Sequence, residues 1–220
     1  MRPIGWVESC FGEKFGTPRQ SGVVPEARGR VVFTEEVQLG ACRGLEEFSH
    51  AWIVFLFHQI EQGDERWLVR PPRLGGNEKK GVLATRSPFR LNRIGLSLVK
   101  LEAVHDEALE VSGLDLVNGT PVLDIKPYLP YAEALPEAET RGGFAQDSPE
   151  ELAVDFSEKL RAALSEDDLA LITRVLAVDP RPAYHDDEGR VYGCLISGHQ
   201  VKWRVEGGRV IVLSRDAEIR

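Results

Sequence analysis

A chain of 220 residues with 42% hydrophobic and 28% charged side chains has the make-up of a folded globular protein, with length for one large domain or two small ones, which excludes disordered and fibrous classes. Its longest apolar run, 51–57, is far too short for a membrane-spanning helix, and the N-terminus lacks the apolar stretch of a signal peptide, so neither a membrane span nor export is expected. The net charge of −8 counts, taken as a whole, against a nucleic-acid partner, because phosphate affinity comes from lysine and arginine.

Strands separated by glycine and proline punctuation are expected at 4–8, 30–34, 51–60, 81–85, 94–104, 108–112 and 121–125, with no amphipathic helix of three turns before residue 130. Segment 51–57 is apolar on both faces, as a barrel strand can be, and its Trp52 and Phe55 read as core residues, with His50 a hydrogen-bonded neighbour. Residues 104–108 read as a hairpin connection. Between 66 and 100 lie nine Lys or Arg and one acid, Glu78, so the chain's −8 is the difference between +8 on this stretch and −16 on the rest. A basic field on an acidic body suits polyanion docking, and a solvated charged face is the plainer alternative.

An acidic linker is expected at 132–139, and the texture then changes. Ser148-Pro149-Glu150-Glu151 carries the signals of a helix start, with Leu152, Phe156, Leu160 and Ala163 on its buried face. Ser165 caps a second helix burying Leu169, Ile172 and Leu176 and ending at Asp179-Pro180, and 191–196, 200–205 and 209–213 form a meander that turns on Gly207-Gly208. The expected fold is therefore β-rich: a β-barrel N-terminal domain, 1–145, and a small α+β C-terminal domain, 146–220.

Most cofactor motifs are absent. No Gly-x-Gly-x-x-Gly lies between a strand and a helix, Val82-Leu83 stand where a phosphate loop needs lysine and a hydroxyl, and no Gly-x-Ser-x-Gly occurs. His50, His58, His105, His185 and His199 show no ligand-pair spacing, and Cys10, Cys42 and Cys194 form no Cys-x-x-Cys pair, so no metal is expected and a reducing cytoplasm fits.

What remains is a set of unusual polar segments: Gly16-Thr17-Pro18-Arg19-Gln20, Phe57-His58-Gln59, Arg70-Pro71-Pro72-Arg73-Leu74-Gly75-Gly76-Asn77, 85–97, 115–128 and Asp179-Pro180-Arg181-Pro182-Ala183-Tyr184. In this order they resemble the signature segments of the TsaA-like tRNA methyltransferases, which methylate N6 of threonylcarbamoyl-modified adenosine at position 37, and the resemblance runs along nearly the whole chain. It implies a single-sheeted barrel that binds S-adenosyl-L-methionine without a Rossmann fold, works in a homodimer, and uses its C-terminal domain to hold the anticodon stem-loop of tRNA. By similarity, the cofactor meets Pro18, Arg19, Gln20, His58, Gln59, Arg86, Leu96, Asp115, Gly119, Thr120, Pro121 and Val122. Cations and an aromatic assigned to RNA are Arg73, Lys79, Lys80, Arg90, Arg93, Lys126, Arg181 and Tyr184. Two departures stand out: Leu91 and Arg93 replace the prolines of the family's Arg-Pro-Asn-Pro-Ile-Gly, and Asn118 stands where aspartate is more usual.

Methyl transfer from a sulfonium to an exocyclic nitrogen needs neither metal nor covalent intermediate, so positioning supplies most of the catalysis. An acceptor for the N6 proton helps as charge develops, and Asp124 is the candidate, with an ion pair to Lys126 as its structural alternative. Tyr128, with Tyr131, could stack on the target base or pack at a barrel rim, and Arg181 and Tyr184 could face RNA or brace the two domains. A non-enzymatic RNA-binding or cofactor-sensing barrel is the rival reading.

Overall fold

The computed structural model describes residues 1–71, 78–138, 151–181 and 189–217. In chain order its strands are β1 (Gly5–Ser9), β2 (Arg28–Phe33), β3 (His50–Leu56), β4 (Leu68–Val69), β5 (Lys80–Gly81), β6 (Ile94–Val104), β7 (Ala108–Ser112), β8 (Pro121–Pro127), β9 (Ala153–Asp155), β10 (Tyr192–Ile196), β11 (His199–Glu206) and β12 (Arg209–Ala217). The α-helices are α1 (Pro130–Glu133), α2 (Glu158–Ala162) and α3 (Glu166–Ala177).

Six strands close into a barrel in the order β1-β2-β7-β6-β3-β8, every neighbouring pair antiparallel. Alternation explains why these residues make strands: along β3, Ala51, Ile53 and Phe55 are buried while the residues between them are only half-buried. Val7, Val31, Val99, Leu109, Val111 and Val122 complete the interior. Register shifts at Val54/Phe55 and at Leu101/Ala103 mark irregularities of the kind that let a sheet curl shut. The hairpin expected at 104–108 joins β6 to β7.

Gly95 makes room for the Phe55 ring inside the barrel. A Cβ there would lie 2.1 Å from a Phe55 ring carbon, and Phe55 is itself 5% exposed, so neither can retreat without opening the other's packing. Gly95→Ala is expected to destabilise the fold by about 2 kcal/mol, lowering Tm by roughly 4–8 °C in a thermal melt, as overpacked cores do.

Several expected elements take other forms. The 51–60 strand ends at Leu56, where the Phe57 amide turns to donate to the Arg93 carbonyl (2.8 Å). Instead of a strand at 81–85, Val82–Ala84 is a 3-10 turn, closed by the Thr85 amide and hydroxyl, which both donate to the Val82 carbonyl. Trp52 is not a core residue: it lies half-buried on the outer face and donates from Nε1 to Glu133 Oε2 (2.6 Å). That bond also ties the expected acidic linker, here partly α1, to the barrel.

No helix runs through 151–156. Ala153–Asp155 is strand β9, parallel to β12, and its Asp155 takes both Arg209 nitrogens at 2.7 Å. The helix begins later, where Ser157 accepts from the Leu160 amide and caps α2. A sheet edge supplied by a strand some fifty residues onward outcompetes the local capping signal, which is why no local pattern reveals it. Residues 148–150 and the expected boundary at 145/146 lie outside the described residues. α3 is capped by Ser165 and buries Ile172 and Leu176 as expected, but Leu171 and Val175 join them while Leu169 is only half-buried. It covers the four-stranded sheet β10-β11-β12-β9, whose core is Trp203, Val201, Val205, Val210 and Val212.

The β1–β2 connection, 10–27, reaches across to this second sheet. Phe11, fully buried, bridges to Ile196 at the free edge of β10, the Ser197 amide donates to the Cys10 carbonyl (2.7 Å), and the Leu195 amide donates to Glu13 (2.9 Å). Phe15 stacks on Tyr192 and Trp203 at centroid distances of 6.3 and 6.4 Å. Gly16, with φ 94, carries no Cβ that would meet Cys194 at 3.0 Å.

Candidate active site

Barrel topology gathers three connections at one end. Because all six strands are antiparallel, the β1–β2 connection, the long β3–β6 connection and the β7–β8 connection leave from the same rim. These connections carry Pro18, Arg19, Gln20, His58, Gln59, Arg86, Asp115, Gly119 and Thr120, while Pro121 and Leu96 lie on the strands just inside that rim.

The closest cluster joins all three. Arg86, exposed, donates to Gln20 Oε1 at 2.5 Å, and Ser97, 1% exposed on β6, donates to Asp115 Oδ1 at 2.5 Å. The Ser21 hydroxyl accepts from the Leu98 amide (3.1 Å), fixing the 18–21 segment against the rim. Burial pushes the Asp115 carboxyl up from 3.8 to about 6, against the opposing effects of the Ser97 hydrogen bond and the Arg86 charge. Ser21 and Ser97 were not legible as site residues, since a lone serine in a strand or turn carries no motif.

Nearby, Lys14 Nζ donates to the Gln59 carbonyl (3.4 Å), which brings the first connection onto the second. Partial burial of its ring, and then the Lys14 charge, hold His58 below its ordinary value. The 115–120 segment is laced to β1 and the residues just after it: the Gly119 amide donates to Val7 O, the Asn118 amide to Phe11 O and the Val7 amide to Thr120 O. Gly119 has φ 76, a backbone suited to glycine. Asn118 Oδ1 accepts from the Ser9 amide (3.0 Å), a role that an aspartate carboxylate serves equally, so this departure leaves the loop's tie in place.

Several of the other expected residues have partners within the chain. Thr120 and Val122 are buried, Thr120 donating to the Val117 carbonyl and Val122 filling the barrel, so their side chains serve the core. Arg19 donates to the carbonyls of Pro180 and Arg181, and Arg181 pairs with Asp179 at 2.8 Å. Together they brace the first connection against the segment after α3. Arg90 donates to the carbonyls of Thr85 (2.7 Å) and Val82 (3.2 Å), and Arg93 to that of Ile60 (2.5 Å), so both guanidiniums hold the β3–β6 connection together. Arg93 sits at φ 49, which a proline ring, locked near −65°, cannot adopt, so the connection follows a backbone course of its own where the family carries proline. Lys80 pairs with Glu78 (2.5 Å) and Lys79 is exposed. Arg73 and Tyr184 lie outside the described residues.

Asp124 sits on the outer face of β8 in one cross-strand row with Val54 and Leu96. It pairs with Lys126 at 2.9 Å, both side chains half-exposed or more. Tyr128 lies past the end of the strand, roughly 13 Å further along. Its amide donates to the His50 carbonyl (3.0 Å) and its ring meets Trp52 and His50 edge-on. Within one chain, then, Tyr128 is a rim residue away from the three connections. Among the described residues no group of three or more acids, histidines or cysteines could hold a metal, and no helix is long and apolar enough to cross a membrane.

An amino-acid tail carries a carboxylate and an ammonium, and the paired chemistry of an exposed guanidinium and a half-buried carboxyl with its hydroxyl partner fits both. The family model of the tRNA-methyltransferase O N-terminal domain matches residues 6–134, and that of the C-terminal domain matches 149–217. The chain is 48% identical over 216 residues to the tRNA (adenine(37)-N6)-methyltransferase of Escherichia coli K12, covering 92% of this chain and 91% of that one. A Pseudomonas aeruginosa relative named for S-adenosylmethionine-dependent methyl transfer is 47% identical over 212 residues, covering 92% and 91%. A crystal structure of TrmO superposes with a TM-score of 0.81 at 37% identity, covering 98% of each chain. With both regions matched and near-half identity along almost its whole length, the chain belongs to the tRNA-methyltransferase O family.

Proposed function

We propose that this chain transfers a methyl group from S-adenosylmethionine to N6 of adenosine 37 in tRNA, with the threonylcarbamoyl-modified base of threonine tRNA as its substrate, in the cytoplasm. One observation carries the site: Gln20, Arg86, Ser97 and Asp115, from distant parts of the chain, meet at the barrel rim beside the row that ends in Asp124. Bound S-adenosylmethionine supplies a methyl already activated on sulfur. Arg86 would hold its carboxylate and Asp115 its ammonium, with the exposed side chain of Leu96 nearby on β6. An N6 flanked by the purine and a carbamoyl group is a poor nucleophile while it keeps its proton. Asp124 accepts that proton as the N6–C bond forms and the sulfur–carbon bond breaks, leaving S-adenosylhomocysteine.

The reading includes a homodimer. Val54, Leu96 and Leu98 form an apolar strip on the outer face of β3 and β6, beside Asp124 and Lys126 of β8. In a two-fold pair with its β8 strands antiparallel, the Tyr128 rim of one copy faces the loop end of the other, the route by which Tyr128 would reach the base.

Purified protein with labelled S-adenosylmethionine and threonine tRNA tests the function. Methyl transfer to modified tRNA, little to an unmodified transcript, and a dimeric mass by light scattering are expected. Donor binding without transfer would instead support a sensing barrel.

Asp115 gives the reaction a pH signature. Its carboxyl, raised to about 6, is neutral below that pH and cannot hold an ammonium, so donor affinity measured by calorimetry should fall as pH drops from 7.5 to 5. Asp115→Asn should bind weakly at every pH and lose the dependence. The raised value also makes folding take up a proton, so the stability linked to this group is fully present below about pH 4 and lost as pH rises through about 6.

A further inference from the structure

The β3–β6 connection exposes more apolar surface than its packing needs. Trp67 is 69% exposed, Leu68 59%, Leu83 79% and Leu91 65%, while Val82, Thr85, Phe89 and Arg90 of the same connection are held by hydrogen bonds within it. Trp67 lies at the root of the β4–β5 ribbon, where its carbonyl accepts from the Val82 amide (2.9 Å) and so places it next to the turn that carries Leu83. Arg66, just before it, lays its guanidinium over Phe89 at 4.1 Å, and Arg70, Lys79 and Arg86 are exposed along the same stretch. Of the acids here, Glu61, Asp64 and Glu65 precede the ribbon, and Glu78 is taken by Lys80.

An exposed indole on a stretch that also exposes Arg66, Arg70 and Lys79 matches the chemistry of an unstacked nucleobase on a phosphate backbone. A second copy of this chain, at net −8, would be drawn to the same cations, so charge does not separate the two occupants; the exposed ring favours a base, and a dimer-mass measurement separates them. We infer that Trp67, with Leu83 on the adjoining turn, Arg66 beside it in sequence and Lys79 further along the ribbon, is a stacking platform for an unpaired base of the RNA loop that carries the target adenosine. The inference rests on the tRNA methyltransferase reading and adds a positioning residue to it. Arg86 lies on the same connection, so a base held at the ribbon's root keeps the loop at the rim where methyl transfer occurs.

The test is fluorescence anisotropy of a labelled anticodon stem-loop with the full-length protein over a salt series. Trp67→Ala should weaken RNA binding about 10-fold, while Trp67→Phe, which keeps a π face, stays within about 3-fold of wild type. A neutral ring releases no counterions, so the slope of log affinity against log salt should stay unchanged in Trp67→Ala and become shallower by about one unit in Lys79→Ala. Donor affinity should be unaltered, and the methylation defect should fall on KM for tRNA rather than kcat. Unchanged RNA affinity in Trp67→Ala overturns the inference, as does a loss of dimer mass without a loss of RNA binding, which would assign the surface to a second copy. Should wild-type protein fail to methylate tRNA at all, the functional reading falls too; wild-type activity with an inert Trp67→Ala result removes the platform alone.

Discussion

Asp124→Ala is expected to slow single-turnover methylation at saturating donor and tRNA by about 100-fold, the lower end of what a positioned proton acceptor contributes, with donor affinity within about 3-fold of wild type. The carboxylate reaches solvent from the outer face of β8 and its visible partners are Lys126 and its own strand's Ile125 amide. A purely structural ion pair makes a different forecast. If Asp124 only anchored Lys126, Lys126→Ala would reproduce the defect, whereas a proton acceptor leaves Lys126→Ala within about 3-fold of the wild-type rate. Asp124→Asn sharpens the contrast, because the amide keeps the shape and cannot take the proton. A wild-type rate in Asp124→Asn would remove Asp124 from the chemistry.

Arg86→Ala should weaken S-adenosylmethionine binding by about 10- to 100-fold, the range of a charge-assisted hydrogen bond to a carboxylate. Arg86→Lys should recover only part of it, since an ammonium lacks the two-pronged geometry. A second effect follows from its neighbour. The Arg86 charge holds the Asp115 carboxyl down against burial, so without it the pH at which Asp115 ionises should move up and the pH profile of donor binding with it. Calorimetry across pH reads both effects. Equal weakening at every pH would show that Arg86 touches the donor without influencing Asp115, and unaltered affinity would remove it from the site.

Much of the barrel was legible because alternation and turn residues are local: β6 and β7 begin and end where the pattern places them. The parallel strand β9 was not, because a three-residue strand at a sheet edge is defined by Arg209 and its neighbours rather than by its own residues. The candidate site was legible only as separate motifs. Arg86 and Gln20 stood out by resemblance, yet their contact depends on two connections leaving the same rim. Side-chain direction was the least legible feature: Arg90 and Arg93 read as cations for RNA and Arg181 as either an RNA contact or a brace, and no pattern in the sequence shows that each guanidinium bonds a group of its own chain. Seen in a sequence, a cation advertises charge, whereas a folded chain often spends guanidinium hydrogens on carbonyls that no strand or helix satisfies.

The seam between Phe11 and Ile196 makes the barrel and the second sheet mutual supports. A fragment beginning at residue 151 would keep α3 and the meander but present β10 with a bare edge and lay open the indole of Trp203 where Phe15 now lies. Such fragments invite edge-to-edge association. The C-terminal half is thus tied to the barrel through the β1–β2 connection, the same segment that carries Gln20 to the rim beside Arg86.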